Sequence, residues 1–207
     1  RDMTSIFGVR HVAELEKFFL YLCLNDGGII EINSISSALG LAKQTITSFL
    51  NILEAAHLIY KLKPLHNSKG VLRGKQKVYM ADTALASSIL LKGRSLLEDN
   101  QKLGMSAECA FIKHILSSSS TANFYYWQGK NQNEVDLICK TGKAFCAFEV
   151  KYISSPVSTS QLKGLFECCT TFDLKRAYVI TNKAFGTLEA PFCATQIFKI
   201  PIHLACY

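Results

Sequence analysis

The hydrophobic positions of this chain change period along its length. Leu15, Phe18, Phe19 and Leu22 recur at helical spacing, and Gly27-Gly28 ends that first helix. Ile29 to Ile32 is then a short strand, with Asn33-Ser34 capping a helix that stops at Gly40. A second helix runs from the glycine turn through Leu53, so Ser34 to Leu53 has the plan of a helix-turn-helix with Ala38, Leu39, Ile46, Phe49, Leu50 and Leu53 as core. Leu58 to Leu62 and Lys77 to Met80 alternate as strands; the loop from Pro64 to Gly74 makes them a wing. Asp82 caps a helix reaching Leu90, and the polar stretch Lys92 to Leu103 is the expected linker. The boundary falls near residue 95, giving a winged helix-turn-helix domain over 1–95 and a second domain over 96–207.

The second domain opens with a helix from Met105 to Leu116 whose buried stripe is Ala107, Ala110, Phe111 and Ile115, with Glu108 one position away. An aromatic strand, Asn123 to Gln128, leads into two strands, Asn133 to Cys139 and Ala144 to Lys151. Strict alternation puts Val135, Leu137 and Cys139 on one face with Cys146, Phe148 and Val150, and Glu134, Asp136, Glu149 and Lys151 on the other. With Thr141-Gly142 as the turn, Glu134 lies opposite Glu149 and Asp136 is its diagonal neighbour; a slip by one pair keeps the three carboxylates together. Like charges across a ladder repel, and a divalent cation such as Mg2+ among these three carboxylates would supply the missing charge. Lys151 would then stabilise an attacking water or a developing phosphate charge, the parts of a metal-dependent phosphodiesterase. The same residues also fit a solvated hairpin face. A helix from Ser160 to Cys169 crosses over to a buried parallel strand, Ala177 to Thr181, and Thr195 to Ile202 completes a mixed sheet.

Composition narrows the class. At 207 residues, 49% hydrophobic and 19% charged, the chain is globular, and no apolar run reaches the roughly 18 residues of a membrane span. Without a signal peptide the expected compartment is cytoplasmic, where eight cysteines act as small hydrophobes; no Cys-x-x-Cys suggests zinc. The net charge of +7 is concentrated between Lys61 and Lys77, where six basic residues occur and no acidic one. Lys69, Arg73, Lys75 and Lys77 on the wing, with Lys43, Gln44 and Thr45 at the start of the recognition helix, are the expected DNA-facing residues. Winged helices also serve as packing modules, so DNA contact and partner contact both stay open.

Asp136, then Glu149-Val150-Lys151, with Glu108 on the preceding helix, resemble the PD-(D/E)XK nuclease-like motif set, Glu134-Val135-Asp136 standing where its Pro-Asp would be. Together with Thr45 to Tyr60, Lys77 to Leu85 and Tyr126-Trp127, they resemble the C-terminal half of a prokaryotic family of AAA-type ATPases, in which a P-loop module precedes a winged helix and a nuclease-like domain of unknown function. The resemblance implies an α/β (α+β) fold: a winged helix-turn-helix followed by a restriction-endonuclease-like mixed sheet flanked by helices. It implies Glu108, Asp136, Glu149 and Lys151 as catalytic residues, Asp136 and Glu149 as Mg2+ ligands, and Gln161 as a phosphate-orienting group. No Gly-x-x-x-x-Gly-Lys-Ser/Thr occurs, so ATP belongs to an N-terminal module outside this sequence, which is expected to be a fragment. The implied partners are DNA and that ATPase module, with no membrane. The implied functions are a Mg2+-dependent DNA phosphodiesterase or a catalytically inactive DNA-binding, partner-binding or regulatory module of the ATPase.

Overall fold

The computed structural model of the chain describes residues 11–65, 75–90, 93, 98–118, 121–129, 132–153, 155–189 and 194–206. The apolar stripe of α1 (Val12–Leu24) buries Leu15, Phe18 and Leu22. β1 (Ile29–Glu31) runs directly into α2 (Ile32–Leu39), so Asn33 and Ser34 lie inside the first turn and Glu31 holds the cap position without a side-chain bond. Gly40 ends α2 in the left-handed region at φ +69, which glycine adopts without strain, and α3 (Lys43–Ala55) follows. Ile46, Phe49, Leu50 and Leu53 form the core as expected. Ala38 is exposed and Ile35, fully buried, takes its place.

β2 (Ile59–Pro64) and β3 (Lys75–Met80) pair antiparallel, with β1 on the far side of β3. Lys77 to Met80 are buried without a break, since Val78 and Met80 enter the core around α1 and α3 while Tyr79 enters a second core on the opposite face. The helix α4 (Thr83–Ile89) is capped as expected, Ala84 N–H donating to Asp82 Oδ1 at 2.8 Å. α5 (Asn100–Ser118) begins inside the stretch expected to be linker and is 19 residues long. Its buried positions are Cys109, Phe111 and Ile112, a stripe rotated from the expected one and turned toward Tyr79.

The strands β4 (Asn123–Gln128), β5 (Glu134–Thr141) and β6 (Ala144–Lys151) form an antiparallel meander. From β6 the chain passes a 3-10 turn (Thr159–Leu162) and α6 (Lys163–Phe172) to β7 (Arg176–Thr181), parallel to β6. β8 (Gly186–Glu189) and α7 (Ile202–Ala205), neither expected from the pattern, flank β9 (Gln196–Pro201), which is parallel to β7. The fold is mixed α/β. Its nine described strands make one sheet in the order β1-β3-β2-β4-β5-β6-β7-β9-β8. β2 and β4 join the N-terminal and C-terminal parts through a parallel pairing, Lys63 with Tyr125 and Pro64 with Tyr126, extended by Leu65 N–H donating to Tyr126 O at 2.8 Å.

α6 sits against the start of β5 because Gly164 has no side chain. A Cβ there would lie 2.3 Å from the Glu134 carbonyl oxygen. Gly164→Ala would favour the helix intrinsically, but the backbone contact forces α6 away from β5, and overpacking of this kind costs about 1–3 kcal/mol. We expect a lower urea midpoint with an unchanged m-value for Gly164→Ala; an unchanged or higher midpoint would show that α6 does not press on Glu134.

Candidate functional site

The end of the β5–β6 hairpin is shaped by a bulge. Tyr125 pairs with Ile138 and Trp127 with Val135, so β5 spends three residues where β4 spends two. Alternation is broken there: Val135 packs with Ile138 around α6, while Leu137 packs with Val150 beneath α5. The expected common face of Val135 and Leu137 is thereby corrected. The turn also differs by one residue, since Thr141 pairs with Ala144 and leaves Gly142-Lys143 at the tip, Gly142 at φ +60. This register ends at Leu137 opposite Phe148. Past it, the Asp136 carboxylate takes the place of a ladder bond: its Oδ2 accepts from Val150 N–H at 2.9 Å.

Lys77 occupies the centre of the site. It was expected on the DNA-facing wing, but it is 3% exposed, because alternation along a strand covered on both faces points it the same way as Tyr79. Its Nζ lies 3.0 Å from Asp136 Oδ1, 2.9 Å from Glu108 Oε1 and 2.5 Å from Glu134 Oε1. Tyr79 Oη donates to the same Glu108 oxygen at 2.8 Å, and its ring lies 5.5 Å from the Lys77 ammonium. Glu149 pairs through Oε1 with Lys151 at 2.5 Å, whereas its buried Oε2 has no hydrogen-bond partner. The four expected catalytic residues, Glu108, Asp136, Glu149 and Lys151, therefore converge. Lys77 and Tyr79 are the members that sequence reasoning did not place there.

The electrostatics follow from burial and sign. Burial opposes the charge on Lys77, but Asp136, Tyr79, Glu108 and Glu134 outweigh it and hold its pKa well above the ordinary lysine value. Burial likewise opposes ionisation of Asp136, yet Lys77, Lys151 and the Val150 amide hold it below the usual carboxylate range. For Glu108 burial and the Asp136 charge win, raising it to about 7; for Glu149 the same two causes raise it to about 8. Among the described residues no group of three or more His, Cys, Asp or Glu side chains is arranged to hold a metal ion. Both oxygens of Asp136 and one of Glu149 are already hydrogen-bonded or ion-paired, so any cation on Asp136 Oδ1 competes with Lys77.

The other expected contacts are scattered. Lys43 and Gln44 are exposed and Thr45 half-buried in the first turn of α3. Lys75 is half-buried opposite Glu31, and Lys69, Arg73 and His66 lie outside the described residues. Gln161 closes a capping box instead of facing the cluster, its Oε1 accepting from Ser158 N–H at 2.9 Å.

Residues 1–96 match a family described as Domain of unknown function (DUF8612), and residues 103–197 match Domain of unknown function (DUF4143). The chain is 28% identical over 171 residues to an uncharacterized protein of Mycobacterium tuberculosis and, to the same extent, to one of Mycobacterium bovis. Each match covers 81% of this chain but 38% of the relative, so the chain spans well under half of those proteins. No solved structure matches it. Among the described residues no helix is long and apolar enough to cross a membrane.

A carboxyl group whose pKa is raised by folding stabilises the native state below its unfolded value and loses that contribution as pH rises through the folded one. Glu108 and Glu149 therefore make stability fall between about pH 5 and about pH 8, while Asp136 and Lys77 keep their charges across this window. We expect the urea midpoint to fall over that range and Glu149→Gln to flatten the upper part of the slope; a midpoint rising with pH would reverse this assignment.

Proposed function

We propose that the chain is the C-terminal part of an AAA-type ATPase-like protein of the prokaryotic cytoplasm, in which a winged helix-turn-helix engages DNA and a restriction-endonuclease-like module is retained without turnover. The observation that carries the reading is Lys77: an ammonium from the N-terminal part stands among Glu108, Glu134 and Asp136, where a nuclease would hold its cation. The site then joins the two parts instead of cleaving a phosphodiester. Support for the ATPase context comes from the second matched domain, which is known at the C-termini of AAA-ATPase-like proteins, and from relatives long enough to hold a further module. ATP belongs to that module, and DNA contact rests on Lys43, Gln44 and Thr45 with Lys75 and the wing residues Lys69 and Arg73.

One observation favours the second reading, a Mg2+-dependent DNA phosphodiesterase with Asp136 and Glu149 as ligands and Glu108 and Lys151 in support. Glu149 Oε2 is buried and has no hydrogen-bond partner, and a cation there would relieve it. The two readings separate under titration with Mg2+ and Mn2+. In the first, the melting temperature of the parent is indifferent to either metal and supercoiled DNA stays intact, whereas Lys77→Met gains a metal-dependent rise by mass action. Cleavage by the parent that is abolished in Asp136→Asn would overturn it in favour of the second.

DNA contact is tested through salt. Lys43→Ala should weaken binding and reduce the slope of log affinity against log salt by about one, the value for one lost phosphate contact. An unchanged slope removes the start of α3 from the interface.

A further inference from the structure

Away from the carboxylate cluster, toward the tip of the same hairpin, Cys139 and Cys146 are direct partners in the β5–β6 register. Residues opposite one another on antiparallel strands have Cα atoms about 4.5–5.5 Å apart, inside the window of about 4.4–6.8 Å that a disulfide needs. Cys146 Sγ donates to the Cys139 carbonyl at 3.9 Å, and burial and the neighbouring Cys139 thiol raise the Cys146 pKa to about 12. Both are half-buried and line a cavity of about 240 Å3 with Tyr178, Lys175 and Arg176. Cys23, Cys109, Cys168 and Cys169 are buried in the cores. A facing thiol pair at a cavity wall with two cationic neighbours is unlike any of these.

We propose that Cys139 and Cys146 are a redox modification site, which a hydroperoxide converts to a cross-strand disulfide. One thiolate attacks the peroxide oxygen, the O–O bond breaks, and the alcohol leaves with a proton, giving a sulfenic acid. The facing sulfur then attacks that sulfur, the S–O bond breaks, and water departs. Two thiols and one hydroperoxide thus give one disulfide, one alcohol and one water, and an external thiol reductant reverses the change. Lys175 and Arg176 line the same cavity, and Lys175 is paired there with Asp173 at 2.8 Å. The bridge would tie β5 to β6 two pairs from the position where the ladder ends and Asp136 turns aside.

The test is peptide mapping of the folded, fully reduced protein after hydrogen peroxide, with remaining thiols blocked by N-ethylmaleimide. Cys193 lies outside the described residues, so Cys193→Ser is the background. Trypsin cuts at Lys140 and Lys143 and separates the two cysteines, so a linked peptide pair lighter by two hydrogens than its reduced parts identifies the bond. We expect that pair, with the loss of two thiols, in the parent. Cys139→Ser and Cys146→Ser, each confirmed as folded by its melting curve, should lose the link and leave a sulfenic acid that dimedone traps. An unchanged thiol count, a link between other cysteines, or equal loss of two thiols in both variants would overturn the proposal. Oxidation of the urea-unfolded parent should give mixed links, since the pairing depends on the register.

Discussion

The Lys77 ammonium ties the two parts of this chain together beside the β2–β4 pairing and the core that both parts share. Lys77 belongs to β3 in the N-terminal part, while Glu108, Glu134 and Asp136 come from α5 and β5. Removing one partner of a buried ion pair costs about 3–5 kcal/mol, because the remaining charge is left without compensation. Domains of this size are stable by only about 5–15 kcal/mol, so an error at one lysine would consume a large fraction of that margin. The pairing between β2 and β4 adds geometry to this charge, since it fixes β3 one strand away from the junction and aims Lys77 at the hairpin.

The carboxylates are oriented by packing in the same way. The bulge opposite Tyr126 turns Asp136 out of the ladder, and Val150 N–H fixes its second oxygen. Gly164 lets α6 press on the backbone of Glu134 from the other side of the sheet. Glu108 is drawn in by the rotation of α5, whose buried residues Cys109 and Ile112 turn the helix toward Tyr79. The bulge, the Val150 amide, the close Gly164 contact and the rotation of α5 each orient one carboxylate, and the cluster is the point where those elements meet.

Much of this was legible in residue order. The helical core positions Ile46, Phe49, Leu50 and Leu53, the strand from Asn123 to Gln128 and the parallel relation of β6 to β7 follow from period and from the intervening helix. The convergence of Asp136 and Glu149 follows from hairpin register even with the turn misplaced by one residue, because a one-pair slip preserves the neighbourhood. What could not be read was the bulge: one inserted residue reverses the faces of everything before it, and no glycine or proline marks it. Lys77 was misplaced for a different reason. Net charge sums positions without regard to direction, whereas the signal lay in Val78, Tyr79 and Met80, an apolar run with no polar face that implied a strand covered on both sides.

The competition between lysine and metal has a definite scale. Lys77 is carried on a strand, so it is always present at the cluster and loses no translational freedom on arrival. Half-occupancy by free Mg2+ at about 1 mM needs about 4 kcal/mol of binding free energy before any rearrangement. Displacing Lys77 adds the cost of leaving a buried ammonium without its carboxylates, several kcal/mol more, and Mg2+ also dehydrates reluctantly. A tethered cation therefore wins unless the strand itself moves. β3 is paired on both edges, with β1 and with β2, so such a movement would have to break the sheet that joins the two parts. In the proposed reading the resting arrangement is a joint, in which a cation at Asp136 Oδ1 would have to displace Lys77.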